Sequence, residues 1–397
     1  SDFGSRTPGR GRTGAAAHSG HGSCAAAMPF LAALPLLALL AVPAAGCWSG
    51  GLTPELCCDR RLGPKGNPDC WDAEYTYERC CGDRSRPPQA SPEVGALKVD
   101  PASVPLLPLP GGGRMPIAGL GLCCRASAQG DAVRQAVVDY LVMGGRHLDD
   151  AMLYNNHIEV GEGVRQAVSL GVPRSEIFFT TKIWPSDYGF EAATAWVDRM
   201  LQQVGLDYVD LVLLHKAGLD DRLECGAPKA CRQETWLALQ RARSKGLVRH
   251  LGVSNFGPRQ MEEILALGGA PIAANQFEYH PWVPQVHRDT VTWCHQHGIA
   301  VTAYGSMGST SMAEQVLTQD ALKQIGSRHG KKAGQVLLRW AVEKNVSVIP
   351  GTSNPKHMAE NLRIFDFQLA PDELALLDSI PAEQGMLHFG HTPDESP

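Results

Sequence analysis

From about Leu107 to Pro381, short apolar runs alternate with longer amphipathic stretches, a pattern that predicts parallel strands joined by helical crossovers. The strand-like runs are Ile117 to Leu122, His147 to Asp149, Ile177 to Lys182, Val209 to His215, His250 to Ser254, Ile272 to Glu278, Ala300 to Tyr304 and Ser347 to Ile349. Between them, Asp131 to Met143, Glu191 to Val204, Glu234 to Lys245, Arg259 to Leu267, Gln285 to His297 and Lys332 to Glu343 carry apolar residues at helical spacing. Eight such units are the number that closes an α/β (β/α)8 TIM barrel. No G-x-G-x-x-G follows a strand and opens a helix, which argues against an open dinucleotide-binding sheet.

The N-terminal part follows other rules. Residues 1–27 are rich in Gly, Ser, Ala and Arg and are expected to be a low-complexity tail, a transit segment or a non-native leader ahead of Met28. Met28 to Ala45 is the one long apolar run, with the length of a signal-peptide core and at the short end for a membrane span. Val42 and Ala44 add a small-residue cleavage pattern, so residues 28–46 are expected to be a signal peptide or signal anchor. The expected location is the secretory pathway or an organelle reached through it, and the cytoplasm if the segment is not used. Membrane contact is expected only through this segment if it is uncleaved.

Six of the 12 cysteines follow directly, in two copies of C-W-x-x-x-[LY]-T-x-E-x-C-C: Cys47 to Cys58 (CWSGGLTPELCC) and Cys70 to Cys81 (CWDAEYTYERCC). Residues 47–82 thus form a duplicated module that is too short to bury a core unaided and is expected to be held by disulfides. The adjacent cysteine pairs are not a usual zinc spacing, and no metal is expected. A Pro- and Ser-rich linker, 83–106, leads to the barrel at 107–381, and a short polar tail, 382–397, ends the chain. The net charge of −5 supplies no field to attract phosphate backbones, so nucleic acid is not an expected partner. A monomer acting on a small molecule is expected.

In a TIM barrel the chemistry lies at the C-terminal strand ends. Those ends deliver Asp149 with Tyr154 shortly after, then Lys182, His215, Ser254 with Asn255, Gln276, Tyr304, and Gly351 with Thr352. Singly, each polar group has a structural explanation: a helix cap, a solvated charge, a satisfied core histidine. At successive strand ends they suit reduction of a carbonyl. A tyrosine donates a proton at neutral pH only in a tuned environment, and a neighbouring ammonium stabilises its phenolate while a carboxylate holds that ammonium. Tyr154, Lys182 and Asp149 fit these roles, and His215 can orient the carbonyl oxygen or relay the proton. No side chain supplies a hydride, so the substrate carbon is expected to take it from a nicotinamide.

The segments GGRHLDDAMLYNNHIEVGEGV, TTKIW, DLVLLH, GVSNF, NQFEYHP and IPGTSNPKHMAENL, in this order, resemble the aldo-keto reductase superfamily. The resemblance implies a (β/α)8 barrel that reduces aldehydes or ketones with NADPH or NADH, without metal or flavin. It implies Asp149, Tyr154, Lys182 and His215 as the catalytic tetrad, with Tyr154 as general acid. Ser254, Asn255 and Gln276 match contacts to the nicotinamide carboxamide, and Tyr304 the aromatic that stacks on its ring. Thr352, His357, Glu360 and Asn361 match positions on the adenine and 2′-phosphate side, and Trp184 and His215 border the substrate.

Departures from the family pattern cluster around the cofactor. The usual Lys-Ser pair reads Gly351-Thr352 and the expected Arg is His357, so both permanent charges toward the 2′-phosphate are absent. Lys356 is adjacent, and weakened discrimination against NADH is expected. Leu122 and Cys123 change the floor of the site, His157 replaces the usual Glu, and the short C-terminal stretch implies an open pocket. Cys225 and Cys231 are expected to form a small disulfide in an oxidising compartment, and Cys123, Cys124 and Cys294 are expected to be buried thiols. Tyr279 and Trp282 are read as packing residues. The Asn345 sequon borders the last strand, where a glycan would clash. The competing class is a nicotinamide-binding redox sensor or interaction protein with little turnover, against which the intact tetrad stands.

Overall fold

The computed structural model describes residues 57, 67–70, 89–218, 225–308 and 313–382. The expected targeting segment, most of the Cys-rich repeat and the C-terminal tail lie outside the described residues. Of the repeat, Cys57 and Cys70 are described: each comes from a different copy, both are buried, and their Cα atoms lie 5.5 Å apart with the sulfurs in contact. No helix among the described residues is long and apolar enough to cross a membrane.

A short antiparallel hairpin of β1 (Leu106–Pro108) and β2 (Arg114–Pro116) precedes the barrel. Eight parallel strands follow, each paired with the next: β3 (Leu120–Gly121), β4 (His147–Asp149), β5 (Phe178–Ile183), β6 (Val209–Leu214), β7 (Val248–Ser254), β8 (Ile272–Glu278), β9 (Ala300–Tyr304) and β10 (Val346–Val348). The sheet closes on itself through the Ala118–Val348 bridge and through Gly119 N donating to Val348 O at 2.8 Å. Every residue of β5, β6 and β8 is buried, as expected for strands covered by side chains inside and helices outside. Trp196, Trp236 and Trp340, one from each of three helices, are fully buried in that outer layer.

The hairpin turn identifies the opposite end of the barrel. Gly113 lies against His250 and Gly111 against Pro271, next to the starts of β7 and β8, so the hairpin covers the N-terminal strand ends and leaves the C-terminal ends open. The stretch read as linker is seated on the barrel from residue 89 onward. Ser91 donates from its backbone N and its Oγ to the buried Asp139 carboxylate (2.7 and 2.6 Å), Val94 is buried, and Arg363 Nη2 reaches Leu97 O at 3.1 Å.

The strand expectations hold to within about two residues, apart from the first, where regular pairing is confined to Leu120–Gly121. The helix expected from Glu234 begins at Pro228, which brings Cys231 inside it. The helix His157–Ser169 carries no clean apolar stripe because it packs through small residues: a Cβ on Gly161 would overlap Val204 O, so glycine occupies a position where periodicity looks for an apolar side chain. The expectation of buried thiols is corrected for two cysteines. The turn after β3, with Cys124 at φ 67°, leaves Cys123 half-buried and Cys124 exposed, with their sulfurs in contact. Cys294 is buried and free, and burial pushes its thiol up to about 12.

Candidate active site

The tetrad residues converge at the open end of the barrel. Asp149 ends β4, Lys182 is the penultimate residue of β5, and His215 directly follows β6. Tyr154 closes the single turn Met152–Tyr154 after β4, where Asn155 at φ 56° reverses the chain and begins the approach to the next helix. Lys182 Nζ donates to Asp149 Oδ1 at 2.5 Å, to Asp150 O at 3.0 Å and to the Tyr154 hydroxyl at 3.1 Å. All three donor directions of the ammonium are therefore used, and the second Asp149 oxygen accepts from Gln276 Nε2 at 2.6 Å. Lys182 and Asp149 are almost completely buried.

Burial and charge act in opposite directions here. Burial lowers the Lys182 pKa, but Asp149 and the Tyr154 oxygen outweigh it, and the amine ends above its ordinary value. For Tyr154, burial raises the pKa more than Lys182 lowers it, so the hydroxyl ends above its ordinary value rather than below it, as a neighbouring ammonium alone would suggest. Tyr154 therefore holds its proton at neutral pH. His215 is driven well below the ordinary histidine value by burial and by Lys182, so its imidazole is neutral. The Tyr154 and Trp184 rings each meet His215 edge-on, with centroids 5.9 and 5.0 Å away. Half-buried Trp184, Tyr154 and His215 thus form one wall of the opening.

A second network spans β6, β7 and β9. Asn255, at φ 59°, donates from Nδ2 to His215 O (3.0 Å) and Ser254 Oγ (3.1 Å), and its Oδ1 accepts from the Tyr304 hydroxyl at 2.8 Å. Ser254 and Gln276 are buried, whereas Asn255 and Tyr304 are half-buried at the opening. Of the proposed carboxamide contacts, Gln276 has its amide nitrogen committed to Asp149. Tyr279 and Trp282 are buried packing residues, as read from the sequence; Tyr279 stacks on Trp340 with centroids 5.0 Å apart.

The loop after β10 is looser. Thr352 Oγ1 accepts from Asn354 N at 3.1 Å, and Asn354 caps the helix Pro355–Leu362 by accepting from Lys356 N at 2.9 Å. Gly351, Lys356 and His357 are exposed. Glu360 is half-buried and held by Lys332 Nζ at 2.5 Å, and Asn361 is half-buried beside it.

Three residues near the site were missed by the sequence reading or noted without a role. Asp150 is fully buried with no side-chain partner for its carboxyl oxygens, and burial pushes its pKa to about 8, so it is largely protonated at pH 7. Its position directly after Asp149 was the available signal. His157 contacts Thr181 Oγ1 at 2.9 Å, and burial pulls it down to about 3, so the position where the resemblance expects a glutamate holds a neutral ring. Arg125 leans from the turn after β3 over Gly351, and nothing in its local sequence announces that reach.

Residues 125–382 match the model of the Aldo/keto reductase family. The chain is 34% identical over 287 residues to aldo-keto reductase family 1 member A1 of Mus musculus, covering 68% of this chain and 87% of that protein. It is also 34% identical over 281 residues to the 9,11-endoperoxide prostaglandin H2 reductase of Trypanosoma cruzi, covering 71% and 92%. Among solved structures, an aldo-keto reductase of Bombyx mori in complex with NADP superposes with a TM-score of 0.65 at 30% identity, over 75% of this chain and 96% of that one. One from Brucella melitensis gives 0.61 at 32% identity, over 69% and 98%. A closed eight-stranded barrel, an Asp, Tyr, Lys and His group at its open end and a family match over most of the barrel together place this chain in the aldo/keto reductase family.

Proposed function

We propose that this chain reduces aldehyde or ketone carbonyls to alcohols with NADPH or NADH, Tyr154 donating the proton. The observation that carries the reading is the Lys182 ammonium shared between Asp149 and Tyr154, which poises one hydroxyl as an acid at the open end of the barrel. The site has the features a nicotinamide dinucleotide needs. Half-buried Tyr304 offers a flat ring, Ser254 and Asn255 offer polar groups beside it, and Arg125 carries buried nitrogens without partners near the glycine at 351. When bound there, the nicotinamide supplies the hydride.

The protein's own groups do the rest. Neutral His215 directs the carbonyl oxygen toward Tyr154 without competing as a cation. As negative charge grows on that oxygen, Tyr154 releases its proton to it, and the phenolate left behind is stabilised by Lys182 at 3.1 Å. Asp149 keeps the ammonium charged and in place throughout, and Trp184 shields the reacting carbonyl from water. The test is the full chain with NADPH or NADH and a panel of aliphatic and aromatic aldehydes. Cofactor oxidation matched by alcohol formation is expected, and absence of both with every pair would overturn the reading.

We also infer that the paired sulfurs of Cys225 and Cys231, whose Cα atoms lie 5.1 Å apart, are a disulfide, which supports an oxidising compartment such as the secretory pathway. Non-reducing peptide mapping should recover the two cysteines as one linked fragment. Alkylation of both in the protein as isolated from cells would exclude it.

A further inference from the structure

The two permanent charges expected after β10 are missing, yet a guanidinium lies over the same loop, contributed from the other side of the barrel seam. Arg125, in the turn after β3, donates from Nη1 to Gly121 O and to Cys123 O, both at 3.2 Å. These two carbonyls hold the head group across the seam where β3 meets β10. Its Nε and Nη2 are buried with no hydrogen-bond partner, and no carboxylate among the described residues lies within ion-pair distance. Burial lowers its pKa. A guanidinium with two desolvated donors unsatisfied is costly unless an anion completes it.

Gly351 makes this placement possible. A Cβ at 351 would overlap Arg125 Nη1, and Gly121 O lies 3.3 Å from the same point. Gly351 stands where the family resemblance expects a lysine, so one exchange both removes a cation and opens the space that a second cation fills. Lys356, His357 and the Thr352 hydroxyl flank the same loop.

We propose that Arg125 is the phosphate-binding cation of this enzyme, its Nε and Nη2 pairing with phosphate oxygens of the dinucleotide, and that Gly351 is the residue that admits it. The proposal rests on the reading that the barrel binds a nicotinamide dinucleotide. A planar fork with two free donors suits a phosphate in bidentate contact.

The test is equilibrium titration of the full chain with NADPH and with NADH, followed by quenching of tryptophan fluorescence, for the parent, Arg125→Gln, Arg125→Lys and Gly351→Ala. Arg125→Gln should weaken binding about 10- to 100-fold and flatten its dependence on salt, with Arg125→Lys recovering part of the loss. Gly351→Ala, which leaves the charge present but displaces it, should weaken binding in the same direction. Equal losses for both cofactors assign the contact to the bridging pyrophosphate, and a loss for NADPH alone assigns it to the 2′-phosphate. Unchanged affinity of Arg125→Gln for both cofactors, in a variant that melts like the parent, would overturn the proposal. Failure of the parent itself to bind either cofactor would instead remove the dinucleotide reading beneath it.

Discussion

At the ends of β4, β5 and β8, Asp149, Lys182, Tyr154 and Gln276 bond to one another, and the two charges among them are almost completely buried. Along the loop after β10, Gly351, Lys356 and His357 stand exposed, and the nearest guanidinium arrives from a different loop. In the first region each group is held by the next, so the loss of one strands the others. In the second, Gly351, Lys356 and His357 stand in solvent, and Arg125 reaches the loop without bonding to any of their side chains. On the proposed function, the proton-donating chemistry would rest on a closed network and cofactor preference on separable side chains.

The sharpest contrast is obtained by breaking the closed network. Lys182→Met would leave Asp149 buried with Gln276 as its remaining side-chain partner. Turnover should fall by about 10²- to 10⁴-fold. Stability should fall by about 3–5 kcal/mol, because an uncompensated buried charge remains. Steady-state rates and chemical denaturation measure the two losses; loss of turnover with stability unchanged would show that Asp149 does not depend on Lys182.

Asp150, directly behind the network, should give a somewhat smaller effect of opposite sign. The unfolded carboxyl ionises at about pH 4, while the buried one holds its proton to about 8. Between these values the folded chain keeps a proton that the unfolded chain has released, so stability declines as pH rises through the window and levels off above it. Asp150→Asn removes that decline, and its melting temperature should exceed the parent's by a margin that grows from acidic to mildly alkaline pH. Parallel melting curves across the window would show that the carboxyl is not buried as described.

In the open region the same kind of change should be mild. His357→Arg restores an expected cation at an exposed site, where ion pairs contribute little, so NADPH should gain only about 2- to 5-fold over NADH. Comparative titration measures it. A gain of the size expected for Arg125 would mean that His357 faces the phosphate more directly than its exposure suggests.

Legibility in the sequence follows the same division. The barrel was readable because buried parallel strands carry apolar runs such as Leu211–Leu214, and the convergence of Asp149, Lys182 and His215 because they lie at strand ends in recognisable segments. The helix His157–Ser169 was obscured by close packing through Gly161, and the seating of residues 89–105 on the barrel through buried Val94 and Val104 by a Pro-rich composition that resembles a linker. Arg125 was not legible, because its role depends on the space left by Gly351, 226 positions later, a pairing that spacing along the chain does not reveal. The rise of the Tyr154 pKa was also hidden, since residue identity announces the neighbouring ammonium but not the desolvation that outweighs it.

The most direct test of the central claim is Tyr154→Phe, which removes one hydroxyl and leaves the ring, the Lys182–Asp149 pair and the phosphate side in place. With saturating cofactor and aldehyde, turnover should fall by about 10²- to 10⁴-fold while cofactor affinity, from tryptophan quenching, stays within about twofold. Turnover close to that of the parent would contradict the account, because the proton would then come from another group.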